Sequence, residues 1–262
     1  MDDSPAPAPR SRRERPAKPA LTRAGIVTAA VRLMEAEGLQ RVTMRRLAQE
    51  LDTGPASLYV YVANTAELHA AILEHHLGRV DLGAAAGTGA AEPGTADDPG
   101  AAACAGAAEP GAADDPSTAD DPGRDWRGRL AAVLESYTTV LLEHPALAHS
   151  ALLARPAGPH YLALVETLLA LLEEGGVPAG QAAWGVDALL QVATATAAEH
   201  SARTGAAAEA EHGAMVRALR EADPSRYPKV AATAGDLVSG RPTERLAWTF
   251  RMLINGVAAT PR

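Results

Sequence analysis

Between Leu21 and Val80 the apolar residues return every three or four positions, the spacing of one face of an α-helix. Ile26, Ala30, Leu33 and Met34 share such a face behind Thr22, whose hydroxyl suits an N-cap, and Gly38 suits the residue just past the helix end. Leu47, Ala48 and Leu51 form a second face behind Thr43. Asp52-Thr53-Gly54 then reads as a tight turn in which Gly54 takes the positive φ. Pro55 opens a further helix running to Val62, with Leu58 and Val62 inward and Ser57, Tyr59 and Tyr61 pointing elsewhere. Asn64 or Thr65 caps a fourth helix that carries Leu68, Ile72 and Val80.

The periodicity then stops. Between residues 81 and 123 Ala-Ala-Glu-Pro-Gly occurs at 90–94 and 107–111, and Ala-Asp-Asp-Pro at 96–99, 113–116 and 119–122. Almost nothing in this segment could be buried, so it reads as a disordered acidic insertion and not as a stacked repeat. It could serve as a passive linker or compete with DNA for basic residues.

Helical spacing returns from Asp125. Trp126, Leu130, Val133, Leu134, Tyr137 and Leu141 form a stripe that Pro145 ends, and a short helix over 146–154 follows. The next helix, 160–174, presents Leu162, Val165, Leu168, Leu169 and Leu172. Pro178 opens a long one to about Arg203 with Val186, Leu189, Leu190 and Val192, small-sided in its second half. A weaker helix covers 205–222, a loop 223–228, and Thr243 caps a last helix with Leu246, Phe250, Leu253 and Val257. The fold class is therefore all-α. The chain divides into a basic arm (1–20), a three-helix helix-turn-helix domain with a connector helix (21–80), the insertion (81–123) and a helical domain (124–262).

Composition agrees with helices: aromatic residues are 3% and the apolar complement is mostly Ala, Leu and Val. The net charge of −8 looks unsuited to a polyanion until it is divided by region. Residues 81–123 hold nine acidic groups and no basic one, and without them 24 basic groups face 23 acidic ones. Six basic residues lie between Arg10 and Arg23 against Glu14 alone, beside the helix-turn-helix. They could reach phosphates or a minor groove, or act as a solubilising tail.

Two short helices exposing Arg45, Arg46, Ser57, Tyr59 and Tyr61 form a DNA-reading pattern, the second helix entering the major groove. His69, His75 and His76 share a helix but lack Cys or carboxylate neighbours at ligand spacing, so no metal is expected. His144, His149 and His160 sit at helix ends bordering a possible pocket. Trp126, Tyr137, Tyr161 and Trp184 are core candidates that could also line it. No catalytic constellation and no cofactor motif is present, so no enzyme is expected. No apolar run spans a bilayer, the N-terminus lacks a signal-peptide core, and the single Cys104 suits a reducing compartment, so a cytoplasmic protein is expected.

The residues Val42 to Leu51 and Pro55 to Val62, followed by Asn64 and Leu68, resemble the TetR family of transcriptional regulators. Trp126-Arg127-Gly128-Arg129-Leu130, His144-Pro145, Arg226-Tyr227-Pro228 and Leu253-Ile254-Asn255-Gly256 resemble its tetracycline-repressor-type C-terminal domain. The resemblance implies a homodimer built through 178–203 and 243–259, and a small-molecule effector in the C-terminal core. It places DNA contacts at Thr43, Arg45, Ser57, Tyr59 and Tyr61. Three positions depart from the pattern. Asp52 stands where Gly is usual, Thr65 replaces a frequent basic residue, and 83–123 lengthens a short connection. The expected function is a ligand-released repressor on a palindromic operator. The alternative is a small-molecule-binding or interaction protein with weakened DNA binding.

Overall fold

The computed structural model describes residues 20–86, 122–153, 155–202 and 206–262. Residues 1–19 of the basic arm and most of the acidic insertion, with Cys104, lie outside these. The described residues form eleven α-helices and no strand, in two compact units that divide between Asn64 and Thr65.

The first unit holds α1 (Arg23–Glu37), α2 (Met44–Glu50) and α3 (Pro55–Leu58). Both threonine caps form: the Thr22 hydroxyl accepts from Gly25 N–H at 3.0 Å, and that of Thr43 from Arg46 N–H at 3.1 Å. Gly38 ends α1 with φ +85° and ψ 157°, a region essentially reserved for glycine that costs other residues on the order of 1–3 kcal/mol. Ile26, Leu33, Leu47, Leu58 and Val62 are all buried.

Two details of this unit differ from expectation. The positive φ in the turn falls on Asp52 at +47°, whereas Gly54 has φ −84°. The reading helix is also shorter than the Pro55–Val62 expected, since α3 is a single turn to Leu58. The chain continues through Tyr59–Tyr61 as turns, with Tyr61 N–H and Val62 N–H both bonded to Leu58 O.

Asp tolerates the left-handed region better than branched residues do. Asp52→Val should therefore destabilise the first unit by about 1–2 kcal/mol. Asp52→Asn should lie near wild type in the same far-UV circular dichroism melts. Equal melting of all three proteins would remove the strain argument.

The second unit holds α4 (Thr65–Leu77), α5 (Pro122–Glu143), α6 (Pro145–Ala151), α7 (Pro159–Glu174), α8 (Ala179–Ala202), α9 (Ala206–Arg220), α10 (Pro228–Leu237) and α11 (Pro242–Ala259). α5 and α8 pack on each other and both meet α6, α7 and α11, while α9 packs on α10. Helix α4, grouped with the DNA-reading helices by sequence, packs against α6 and α7 within this second unit. The 223–228 loop is followed by α10, a helix that no sequence periodicity announced. The last helix starts at Pro242 rather than behind Thr243, and the Glu244 carboxylate accepts from Arg241 N–H at 2.9 Å.

The buried face of α7 is Leu164, Leu168, Leu171 and Leu172, while Leu162 is 60% exposed. Trp126 is fully buried, and a Cβ on Gly175 would lie 2.3 Å from its ring. The ring therefore fills the space that the glycine leaves open at the end of α7.

Candidate nucleic-acid interface and ligand cavity

In the first unit, Arg45, Ser57 and Tyr59 are exposed and Tyr61 is half-buried. Thr43 is exposed while its hydroxyl serves as the cap of α2, leaving that hydroxyl's proton available to an outside acceptor. Arg46 was expected at the nucleic acid, but the fold ties it down. Its Nε and one terminal nitrogen fork onto the Glu37 carboxylate at 3.3 and 2.5 Å, and the other terminal nitrogen reaches Glu50 at 3.0 Å. This guanidinium holds the Glu37 carboxyl below its ordinary range. Arg46 thus links α1 to α2, and Arg45 is left as the candidate phosphate contact of the pair. Val60, which the apolar pattern did not single out, is 79% exposed beside Tyr59.

The second unit brings Tyr137 and Tyr161 together. They line a cavity of about 80 Å³ with Ala151, Leu152, Arg155, Pro156, Leu190, Gln191 and Thr194. The phenol of Tyr137 is buried and lies 2.8 Å from the Thr194 hydroxyl, and burial pushes its pKa up to about 12. At the rim Arg155 pairs with Asp187.

The other three residues expected in a pocket are placed elsewhere. Trp126 is core against Gly175. Trp184 is 63% exposed on α8, with the Arg262 guanidinium 4.2 Å from its ring centre. His149 is exposed on α6. The sequence reading missed Arg155, Gln191 and Thr194. The one signal for the last two was their spacing on α8, where Asp187, Leu190, Gln191 and Thr194 recur at three and four residues.

Helix α4 is fastened to the walls of this cavity. Its Glu74 carboxylate accepts from His160 N–H at 2.6 Å and Tyr161 N–H at 3.3 Å, capping α7. A Cβ on Gly158 would collide with that carboxyl, so the glycine permits the approach. His69 Nδ1 lies 3.2 Å from the Ser150 hydroxyl, and the rings of His76 and His144 lie 3.9 Å apart. His76 is buried and neither of its ring nitrogens has a hydrogen-bond partner among the described residues. Among the described residues no three side chains are gathered as metal ligands, and no helix is long and apolar enough to cross a membrane.

Comparison with known proteins agrees with this two-part layout. Residues 26–72 match the family described as bacterial regulatory proteins, tetR family. Residues 119–260, more than half of the chain, match the tetracyclin repressor-like C-terminal domain. The chain belongs to the TetR family. A solved Streptomyces coelicor chain described as a transcription regulator is 51% identical, with a TM-score of 0.69 over 94% of this TetR-family chain and 98% of its own. The Streptomyces coelicolor TetR family protein ActR, solved in complex with actinorhodin, is 28% identical with a TM-score of 0.68 over 92% and 98%. Among curated proteins, the HTH-type transcriptional repressor DrrR1 of Streptomyces coeruleorubidus is 53% identical over 51 residues, 20% of this chain and 19% of its own length. An HTH-type transcriptional regulator of Saccharopolyspora erythraea is 29% identical over 159 residues, 61% of this chain and 52% of its own. The matches thus span about half or less of each curated relative. TetR-family members are DNA-binding transcriptional regulators, and the resemblance read from residues 42–68 is borne out at the level of the family.

Proposed function

We propose that this TetR-family protein is a homodimeric repressor that leaves a near-palindromic operator when a small molecule enters the cavity of its second unit. The observation that carries the ligand half of this reading is the Glu74 clasp. Tyr161 lines the cavity, and its own backbone N–H is bonded to α4, the helix that follows the DNA-reading unit directly in the chain. The cavity wall formed by Ala151 belongs to α6, which α4 also contacts. A ligand too bulky for this cavity widens it by moving these walls, and α4 is fastened to both of them. Release then requires the widened arrangement to bind ligand better than the narrow one does. ActR, whose structure holds actinorhodin, supports a small molecule as the effector type.

The DNA half rests on the exposed set Thr43, Arg45, Ser57, Tyr59 and the half-buried Tyr61, with Val60 offering methyl groups to a thymine. The dimer rests on α8 and α11, which expose Trp184, Trp248 and Met252, large apolar side chains that a second copy would cover.

The test is operator selection from a randomised duplex pool, followed by fluorescence anisotropy across a salt series. Two half-sites spaced by about one helical turn or a multiple of it are expected. Arg45→Ala should weaken binding and flatten the salt dependence by about one phosphate contact per half-site. Arg46→Ala should leave the salt dependence unchanged, because its partners are Glu37 and Glu50. If no sequence is enriched while ligands still bind, the chain is a small-molecule-binding protein and the repressor reading fails.

A further inference from the structure

The hydrogen-bond directions inside the cavity restrict what it can hold. The Thr194 hydroxyl lies 2.7 Å from Leu190 O and 2.8 Å from the Tyr137 phenol oxygen. A carbonyl oxygen cannot donate, so the Thr194 proton points to Leu190 and Thr194 accepts from Tyr137. The Tyr137 proton is thereby committed to α8. What Tyr137 has left are the lone pairs of its oxygen, in a buried place where an unmet acceptor weakens binding of any molecule that cannot supply a donor. Burial keeps this phenol protonated throughout the physiological range, so the direction does not reverse.

The rim has the opposite polarity. Asp187 holds one terminal nitrogen of Arg155, which leaves further N–H groups of the guanidinium fork. Between the two ends stand Ala151, Leu152, Pro156 and Leu190. With the rings of Tyr137 and Tyr161 also in the lining, these walls favour a flat apolar body over a flexible polar one.

We propose that the effector is a hydroxylated aromatic compound with an oxygen acceptor at its far end. Its hydroxyl donates to the Tyr137 oxygen, and its carboxylate or carbonyl oxygen accepts from Arg155. This rests on the cavity being the effector site. It adds the polarity of the two ends, which fixes the orientation of the ligand.

The probes are 6-hydroxy-2-naphthoic acid, 6-methoxy-2-naphthoic acid, which keeps the acceptor but lacks the donor, and 2-naphthol, which keeps the donor but lacks the acid. Binding to the full chain is measured by titration calorimetry. The hydroxy acid is expected to bind roughly tenfold or more tightly than either analogue, the usual effect of leaving one buried hydrogen-bonding group unmet. In Tyr137→Phe the advantage over the methoxy acid disappears while the advantage over naphthol remains. In Arg155→Gln the reverse holds. Gln191→Trp, which alters an exposed residue at the rim and leaves the core untouched, should block all three.

If the probes bind equally and Gln191→Trp blocks them, the cavity is a ligand site but the proposed ligand class is wrong. If Gln191→Trp leaves tight binding intact, the cavity reading fails and the ligand class with it. Absence of binding by the hydroxy acid overturns the ligand class.

Discussion

Replacing Tyr59 with alanine is expected to weaken operator binding by roughly 30-fold or more while leaving helicity and melting temperature unchanged. The side chain is 53% exposed and lies just past α3, whose inward residue is Leu58. Little apolar surface is therefore lost from the fold. A polar aromatic contact to a base or phosphate contributes on the order of 1–2 kcal/mol per half-site. A homodimer loses it twice, and about 2 kcal/mol in total is already close to 30-fold in affinity. Tyr61 provides the contrast. It is half-buried, so Tyr61→Ala should lower stability as well as affinity. The measurement is anisotropy on the selected operator beside a thermal melt of each variant. If Tyr59→Ala binds normally, the reading surface has been placed on the wrong residues.

His76 sets the second large effect, a loss of stability in mild acid. Burial is the main cause that lowers its pKa to about 4 from an ordinary 6.5, and the neighbouring His144, His75 and Arg79 charges add to it. The folded value lies below the unfolded one, so folding keeps this imidazole neutral where the unfolded chain would protonate it. The associated stability is complete above about pH 6.5 and is lost progressively as the pH falls towards 4. At the acid end the loss reaches on the order of 3 kcal/mol. His76→Leu fills a similar space without unmet ring nitrogens, so it should match or exceed wild-type stability near neutral pH and remove much of the acid sensitivity. Urea denaturation near neutrality and at about pH 4.5 decides the matter. An equal acid loss in both proteins would assign the sensitivity to other groups.

Much of this architecture was legible because helix ends carry local chemistry. Thr22, Thr43 and Gly38 act where their neighbours in sequence placed them, and the inward residues of α1 and α5 recur at helical spacing. Features that depend on packing were not legible. Arg46 looks like any exposed arginine until α1 crosses α2 and delivers Glu37, nine positions away. Helix α7 has leucines on several faces, so periodicity could not separate Leu164 from Leu162. The cavity draws Tyr137 from α5, Arg155 from a loop, Tyr161 from α7 and Thr194 from α8, a convergence that no single stretch of sequence encodes. The turn was misread for a different reason. Glycine is the usual left-handed residue, but Asx side chains also enter that region, and Asp52 does so here.

The three tryptophans, Trp126, Trp184 and Trp248, all lie in the second unit, one in its core and two on its surface. Tryptophan emission, excited apart from that of Tyr59 and Tyr61, is therefore blind to the helices that read DNA. A melt followed by tryptophan fluorescence reports the second unit alone, and the strain at Asp52 has to be sought in the amide signal. The same asymmetry has a use. Light from Trp184 and Trp248 is sensitive to whatever covers α8 and α11, while the buried Trp126 provides an internal standard that subunit association leaves in place.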